Sequence, residues 1–338
     1  MRKQAKYPVL LVVLVFQILF YYCGDNGTDN IKNRFNGKVK VASEPVKAKH
    51  FFFVGKWLGK ESIYKYSFDD SSYSVFWFQD KEKVLEFLYS DDLKYAFFIT
   101  ARKLGTRHGV SFIKKLKLYR VDPLLSKTGL ISELGEAIQL LAQWNGMNFE
   151  IQLTKFDKKI ASEIDKFNRL YSPFGKLLKE EVEKFDFIKE GYPPFTIRQP
   201  KLISPSGVFG LTAKGDSIFL RVAGMDKDVF IDSSGHSFNE VRWINEDEAV
   251  IFSTRKIINS GKERTIKSEL FVYDLVHRKI DFKRVGEGRM NFLIANDLLI
   301  FDDGIGNKSS IVMIDLKSNN EIKKLFINGG CSLKSIIY

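Results

Sequence analysis

Residues able to do acid–base, nucleophilic or metal chemistry are scattered along this chain of 338 residues. The sequence contains no Gly-x-Ser-x-Gly nucleophile elbow and no His-Glu-x-x-His zinc motif. Its histidines lie singly and far apart, at His50, His108, His236 and His277. Single histidines are typical of exposed or sheet-packed positions. We therefore expect no catalytic residue, no metal ligand and no cofactor.

The acidic residues fall in short runs that are typical of turns. Asp69-Asp70 and Asp91-Asp92 each stand between apolar segments, where aspartate accepts hydrogen bonds from the backbone. The stretch Asp302–Ser310 lacks the alternating oxygen ligands and the terminal glutamate of an EF-hand. Because a strand-like segment follows it rather than a helix, it also makes a poor phosphate cradle. We interpret it as a hairpin loop, with a Ca²⁺ loop and a phosphate cradle as the weaker alternatives.

The N-terminal residues have the layout of an export signal. Three basic residues precede an apolar run from Pro8 to Tyr22, and Cys23 and a polar segment follow. An apolar helix of this length rises about 22 Å, which is short of the ~30 Å hydrocarbon core of a bilayer. The length favours the apolar region of a signal peptide over a membrane-spanning helix.

This segment resembles a bacterial lipoprotein signal, in which the cysteine after the apolar run is lipidated. The resemblance implies a signal peptide over residues 1–22, lipidation of Cys23, a polar tether over residues 23–48, and a membrane-anchored protein in the bacterial cell envelope. Tyr22 departs from the small residues usual before that cysteine, so an uncleaved anchor is the alternative. The other cysteine, Cys331, then has no partner in the chain, and we interpret it as a packing residue near a C-terminal strand.

Composition favours a folded all-β protein with a basic surface. Hydrophobic residues make up 44% of the chain and aromatic residues 14%, including 30 Phe, and aromatic side chains suit pleated sheets. The net charge of +12 is compatible with nucleic acid or an anionic surface as a partner. However, the basic residues are spread along the chain without a nucleic-acid motif. We therefore expect a solvated lysine surface and no specific nucleic-acid partner.

A strand–turn–strand unit recurs through the body of the chain. Its clearest copy is Leu202–Ala213, where Ser204-Pro205-Ser206-Gly207 separates two apolar segments. Comparable turns fall near residues 90, 145, 204, 245 and 296. Their spacings of about 55, 59, 41 and 51 residues suit propeller blades with insertions. The strand ends Tyr273-Asp274-Leu275 and Ile314-Asp315-Leu316 repeat a second signal, and polar turns follow both.

These turns and strand ends resemble those of WD-repeat-like and TolB-like β-propellers. The resemblance implies an all-β propeller over residues 49–338. Five turns indicate five blades, and one C-terminal strand joined to three N-terminal strands supplies a sixth. We predict about six blades, with five or seven as alternatives. Closure of the ring by both chain ends removes the exposed edge strands of an open sheet.

One segment, residues 155–190, departs from the strand pattern. The apolar residues from Phe156 to Leu170 are spaced as on one face of a helix, and Leu177 to Phe185 continue the spacing. We predict a helical insertion here, with Ser172-Pro173-Phe174-Gly175 as the turn between two helices. Its expected role is packing, with capping of a channel mouth or partner binding as the alternative.

Three functions remain open at the level of sequence. The first is a non-enzymatic envelope lipoprotein whose propeller binds a protein partner, as yet unknown, or another ligand. The second is an extracytoplasmic hydrolase or lyase with its site at the propeller channel. The third is adhesion to anionic polymers through the basic surface. Charged side chains clustered at the channel would favour the second, whereas a salt-sensitive interaction would favour the third.

Overall fold

The protein is built almost entirely of antiparallel strands. The structure, a computed structural model, describes residues 47–107, 110–157, 162–233, 235–244, 249–261 and 263–335. Within them, helical structure comprises α1 (Phe187–Glu190) and a 3₁₀ turn at Gly306–Lys308. Among these residues, no helix is long and apolar enough to cross a membrane.

The strands of the first half of the chain are β1 (His50–Trp57), β2 (Lys60–Ser67), β3 (Ser72–Phe78), β4 (Lys83–Tyr89), β5 (Ala96–Ala101), β6 (Lys103–Arg107), β7 (Val110–Asp122), β8 (Lys127–Ala137), β9 (Gln139–Asn145), β10 (Asn148–Phe156), β11 (Glu163–Tyr171) and β12 (Leu177–Asp186). Those of the second half are β13 (Phe209–Lys214), β14 (Ser217–Val222), β15 (Val229–Ser233), β16 (Ser237–Ile244), β17 (Ala249–Ser260), β18 (Glu263–Asp274), β19 (Lys279–Glu287), β20 (Phe292–Ala295), β21 (Leu298–Asp303), β22 (Ser310–Asp315), β23 (Glu321–Phe326) and β24 (Cys331–Ser332).

These strands form six antiparallel sheets. Sheet 1 has the order β24-β1-β2-β3, and sheet 2 has the order β4-β5-β7-β6 with β8 beside β7. Sheet 3 comprises β9 to β12, sheet 4 β13 to β15, sheet 5 β16 to β19 and sheet 6 β20 to β23, each in sequence order. Six successive antiparallel sheets of this kind are the architecture of a six-bladed β-propeller. The predicted fold class is therefore confirmed.

Sheet 1 confirms the predicted closure by both ends of the chain. The C-terminal strand β24 pairs with β1, where Val54 lies opposite Ser332 and Gly55 opposite Cys331. Phe51 to Val54 in β1 are all at most 1% exposed, because this strand is covered on both faces. The sequence of such a central strand is a continuous apolar run, without the alternation of apolar and polar residues seen in half-buried strands.

The predicted turn at Ser90 joins β4 to β5, and the one at Ser204 directly precedes β13, where Ile203 forms a bridge with Gly210. Ser204 accepts on its Oγ from the Phe209 amide (3.1 Å), and its own amide donates to the Phe209 carbonyl (2.8 Å). Ser90 makes the same two bonds with Tyr95, at 3.0 and 2.9 Å. In both turns the fourth residue has a positive φ, 57° at Leu93 and 75° at Gly207. The turns near 145 and 296 are confirmed as tight hairpins, and residues 245–248 lie outside the described residues.

A second shared turn joins the third and fourth strands. Asp274 Oδ1 accepts from the His277 amide (2.9 Å), and Asp315 Oδ1 accepts from the amides of Lys317 and Ser318 (both 2.8 Å), as their matched positions predicted. Asp122 plays the same role at the end of β7, where it accepts from two following amides. That third copy was not recognised in the sequence because Pro123 and two leucines follow it instead of a polar turn.

The predicted helical insertion at 155–190 is wrong. Apart from the single turn α1, its described residues belong to strands, since β11 pairs with β10 from Ile164 to Tyr171 and β12 pairs with β11. The sequence of β11 does not show the apolar–polar alternation of a strand, because a lysine, Lys166, occupies a buried position. The alternation of β12 was hidden because this strand is the edge of sheet 3 and buries no residue. Ser172–Gly175 joins these two strands and begins no blade, as predicted, although no helices flank it.

The chain divides into two compact units, which we describe separately. Unit 1 includes Ile99–Arg120 and Thr128–Ile197, and its core contains Ile151 of β10 and Ile164 of β11, both fully buried. Unit 2 includes residues 47–98, Val121–Lys127 and residues from Arg198 onward. In unit 2 the apolar faces of successive sheets share clusters, which join sheet 4 to sheet 5, sheet 5 to sheet 6 and sheet 6 to sheet 1. This face-to-face packing fixes where the first strand of each sheet lies.

Candidate ligand-binding site

The first strands of four sheets in unit 2 bring charged side chains together. We call this group the first-strand cluster. Its members lie on or beside β4, β16, β20 and β24 and on the segment that precedes β13. They are Glu86, Asp91, Arg198, Glu240, Arg242, Arg289 and Lys334. Charged side chains that several strands hold close together form a candidate ligand-binding surface.

Glu240 and Arg242 on β16 form the centre of the cluster. Arg242 contacts Glu240 Oε1 at 3.2 Å and donates to the carbonyl oxygen of Asp91 at 2.8 Å. Lys334 approaches the other oxygen of Glu240 at 3.5 Å. The side chains of Glu240 and Arg242 are only 17% and 18% exposed, so these ion pairs are shielded from water more than surface pairs are. The arrangement is a half-buried, mixed-charge surface.

Asp91 extends the cluster to its rim. Its carboxylate lies 3.7 Å from Arg242 and 3.8 Å from Arg198, and its side chain is well exposed. The neighbouring Asp92 performs the predicted turn role instead, because its Oδ1 accepts from Ser90 Oγ (2.7 Å) and from the Lys94 amide. One aspartate of the pair is thus structural, and the other faces the cluster.

Glu86 on β4 adds a carboxylate with a perturbed pKa. Its amide neighbour Phe87 donates to the Lys334 carbonyl (2.7 Å), which holds β4 against the segment that follows β24. Burial raises the pKa of Glu86, and the positive charges of Arg289 and Lys334 oppose this shift. A carboxyl group with a raised pKa beside cations is the pattern of a binding or acid–base site.

Two guanidinium groups of the cluster retain an unused donor. The Nε atoms of Arg242 and Arg289 are buried and make no hydrogen bond within the described structure. Buried donors of native proteins are nearly always satisfied by protein, water or ligand. These two atoms therefore offer donor positions for an acceptor group of a ligand, and guanidinium donors favour carboxylate and phosphate oxygens.

The loop Asp302–Ser310 is a hairpin loop, as interpreted from the sequence, and its two aspartates have separate roles. Asp302 is fully buried and accepts from the Leu333 amide (2.6 Å), Asn291 Nδ2 (2.7 Å) and Ser332 Oγ (3.1 Å). Burial raises its pKa to about 6. Asp303 pairs with Arg284 (2.7 Å). Protein donors thus engage both carboxylates, and Asp302 fastens β24 to sheet 6.

The described histidines make separate local contacts. His236 Nδ1 lies 3.1 Å from Thr254 Oγ1, and His277 Nδ1 lies 2.6 Å from Asp274 Oδ2 in a turn. His50 begins β1, and His108 lies outside the described residues. Among the residues that the structure describes, no group of three or more His, Cys, Asp or Glu side chains could hold a metal ion.

The structure describes one of the two cysteines, Cys331. Cys331 is fully buried in β24, and burial raises the pKa of its thiol to about 12, so its interpretation as a packing residue is confirmed. Cys23 lies outside the described residues, so its lipidation stays a prediction.

Sequence reasoning did not single out the members of the first-strand cluster apart from Asp91. Glu240 and Lys334 are 94 residues apart in the chain, and no local spacing connects them. One signal was available: Glu86 and Arg242 each stand among the apolar residues of a short strand, where a charge is unusual.

No family model matches the chain, and no curated protein matches it in sequence. Solved structures of propeller proteins are similar to it in fold alone. TolB from Acinetobacter baumannii is 8% identical with a TM-score of 0.45, over 85% of this chain and 66% of that protein. AztD from Citrobacter koseri is 10% identical with a TM-score of 0.34, over 85% of this chain and 97% of that one. A prolyl endopeptidase is 11% identical with a TM-score of 0.43, and the chain spans only half of its length.

Proposed function

We propose that this chain is an envelope lipoprotein whose propeller binds a protein or a smaller ligand at the first-strand cluster, without catalysing a reaction. The observation that carries the proposal is the shielded group of Glu240, Arg242 and Lys334, with unused donors on Arg242 and Arg289. A ligand group with carboxylate or phosphate oxygens would satisfy those donors.

Site-specific photocrosslinking in cells tests the binding proposal. A photoreactive amino acid at Asp91 reports partners at the rim of the cluster, and the same amino acid at Lys317 is the matched control on a distant exposed turn. We expect a specific crosslink from position 91 only, and its loss in Arg242→Gln. The same crosslink in wild type and Arg242→Gln would show that the cluster does not carry binding.

The anchoring part of the proposal rests on the sequence before residue 47 and needs its own test. We expect mass spectrometry of the membrane-extracted protein to find a lipidated N-terminal cysteine at Cys23. Cys23→Ser should abolish this modification, whereas Cys331→Ser should leave it intact. Retention of residues 1–22 on the mature protein would instead support the uncleaved anchor.

The charged first-strand cluster itself also favours the enzymatic alternative, an extracytoplasmic hydrolase or lyase, as the sequence analysis expected of clustered charged side chains. Glu86, with its raised pKa, lies in the same cluster as a second carboxylate, Glu240, and a raised pKa suits a general acid. Incubation of the purified protein with envelope glycans and peptides distinguishes the two functions. Product formation that disappears in Glu86→Gln would establish catalysis, and binding without turnover would support the binding module.

A further inference from the structure

The hairpin between β1 and β2 carries an exposed leucine where the backbone disfavours one. Leu58 and Gly59 form a two-residue turn with φ values of 51° and 76°, and Trp57 pairs with Lys60 across it. Turns with two positive φ values favour Asn, Asp and Gly, because side chains crowd the left-handed conformation. The equivalent tight turn between β20 and β21 indeed has Asn296-Asp297. Leu58 is nevertheless 78% exposed, and Trp57 beside it is 45% exposed.

A second loop of unit 2 lies beside this hairpin and has the same character. Lys56 Nζ donates to Asn307 Oδ1 at 3.1 Å, which joins the hairpin to the loop between β21 and β22. In that loop Ile305 is 43% exposed and Lys308 is exposed. We call the combined surface the tip patch; it consists of Lys56, Trp57, Leu58, Lys60, Ile305 and Lys308.

The tip patch also has acidic neighbours. Asp80 forms an ion pair with Lys60. Glu61 is partly buried, and its burial raises the pKa of its carboxyl group. Glu61 lies opposite Lys56 in the pairing of β1 with β2, and their charges interact. These groups reduce the positive charge around the two apolar tips, whereas Lys308 has no acidic partner within ion-pair distance among the described residues. The patch therefore presents apolar side chains with a rim that is net basic.

We propose that the tip patch inserts into the interface of an anionic lipid bilayer. Tryptophan prefers the membrane–water interface, where its ring lies among the headgroups, and lysines beside it are attracted by anionic lipids. An exposed leucine at a strained turn position is explained if lipid, rather than water, covers it.

The part of the sequence before residue 47 supports a lipid bilayer as the surface that covers the tip patch. It includes the apolar run from Pro8 to Tyr22, and residues 23–46 follow this run. An extended segment of that length spans up to about 80 Å. The tip lies at the far end of β1, about 26 Å from its start. A chain held at a membrane through its N-terminal segment could therefore reach the bilayer with its tip, whether or not Cys23 is lipidated.

Tryptophan fluorescence of the full-length protein in vesicles tests this proposal. The chain has four tryptophans, and none of them lies in residues 1–46. Trp77 and Trp144 are buried, and Trp243 near the end of β16 donates its Nε1 hydrogen to the Lys201 carbonyl. In vesicles of brominated phosphatidylcholine with phosphatidylglycerol, we expect quenching in wild type. This quenching should be lost in Trp57→Phe and retained in the matched control Trp243→Phe.

A second variant separates lipid contact from misfolding. Leu58→Asn replaces the apolar side chain by one that tolerates a positive φ, so the turn is preserved. We expect it to reduce quenching while the circular dichroism spectrum stays that of wild type. Three results would each overturn the proposal: no quenching in wild type, equal quenching in Trp57→Phe, or equal quenching in vesicles of phosphatidylcholine alone.

Discussion

Replacement of Asp302 by alanine should destabilise the closure of the fold, by an amount that depends on pH. The carboxyl group of Asp302 accepts from two buried donors, the Leu333 amide and Asn291 Nδ2. Each buried donor left without an acceptor costs about 1–3 kcal/mol, so the loss is about 2–6 kcal/mol at pH 5. The Ser332 hydroxyl can rotate to another acceptor and adds little.

The pH dependence follows from the raised pKa of Asp302. In the folded protein this pKa is about 6, against an ordinary value of 3.8. Between pH 5 and pH 7 the folded state releases a proton that the unfolded state has already released, so wild-type stability falls as pH rises. With these two values the decrease is about 1.3 kcal/mol. The cost of Asp302→Ala is therefore smaller at pH 7 than at pH 5 by that amount.

Urea unfolding of the full-length protein in detergent micelles, followed by tryptophan fluorescence at pH 5 and pH 7, measures this difference. Asp315→Ala is the matched control. Asp315 caps an exposed turn, and its hydrogen bonds to backbone amides lower its pKa, so it stays ionised at both pH values. Its effect on stability should not change between them. If Asp302→Ala lowered the free energy of unfolding equally at pH 5 and pH 7, Asp302 would not be a buried carboxyl group that titrates between these pH values.

Three further predictions concern the turns, the edge strand and the buried thiol. Ser90→Ala and Ser204→Ala should each lower the free energy of unfolding by about 1 kcal/mol in urea titrations, because each removes an acceptor for a turn amide. Unchanged urea midpoints would contradict the hydrogen bonding that the two turns share. Val182→Lys on the exposed edge strand β12 should leave this free energy within about 0.5 kcal/mol and reduce aggregation, as measured by light scattering. In the Cys23→Ser background, the Cys331 thiol should react with a disulfide reagent at pH 8 only after unfolding, and rapid reaction of the native protein would disprove its burial.

The turn residues explain why the fold could be predicted from the sequence. Ser204-Pro205-Ser206-Gly207 and the turn at Ser90 differ in their letters but share what the backbone needs. Both have a serine that bonds to the residue five positions later and a fourth residue that adopts a positive φ. A search for the strand–turn–strand pattern therefore found copies of the turn that a search for identical residues would miss.

Residues 155–190 show where local patterns fail. The leucines, lysines and glutamates of β12 are good helix formers, and neither face of this edge strand is buried, so no alternation indicates a strand. Only its pairing with β11 determines its conformation, and that pairing is a tertiary effect. The first-strand cluster was missed for the same reason. Arg242 and Asp91 are 151 residues apart and meet only because their sheets pack in order.

The C-terminal segment links the closure of the fold to the candidate site. Leu333 donates its amide to Asp302, which holds β24 in place, and the next residue, Lys334, contacts Glu240 and accepts from the Phe87 amide. Release of β24 would therefore remove a cation from the first-strand cluster. By linkage, a ligand that binds the intact cluster must also stabilise the closed sheet 1. Asp302→Ala should accordingly weaken ligand binding although Asp302 is not a member of the cluster. A saturating concentration of ligand should recover part of the free energy of unfolding that this variant loses.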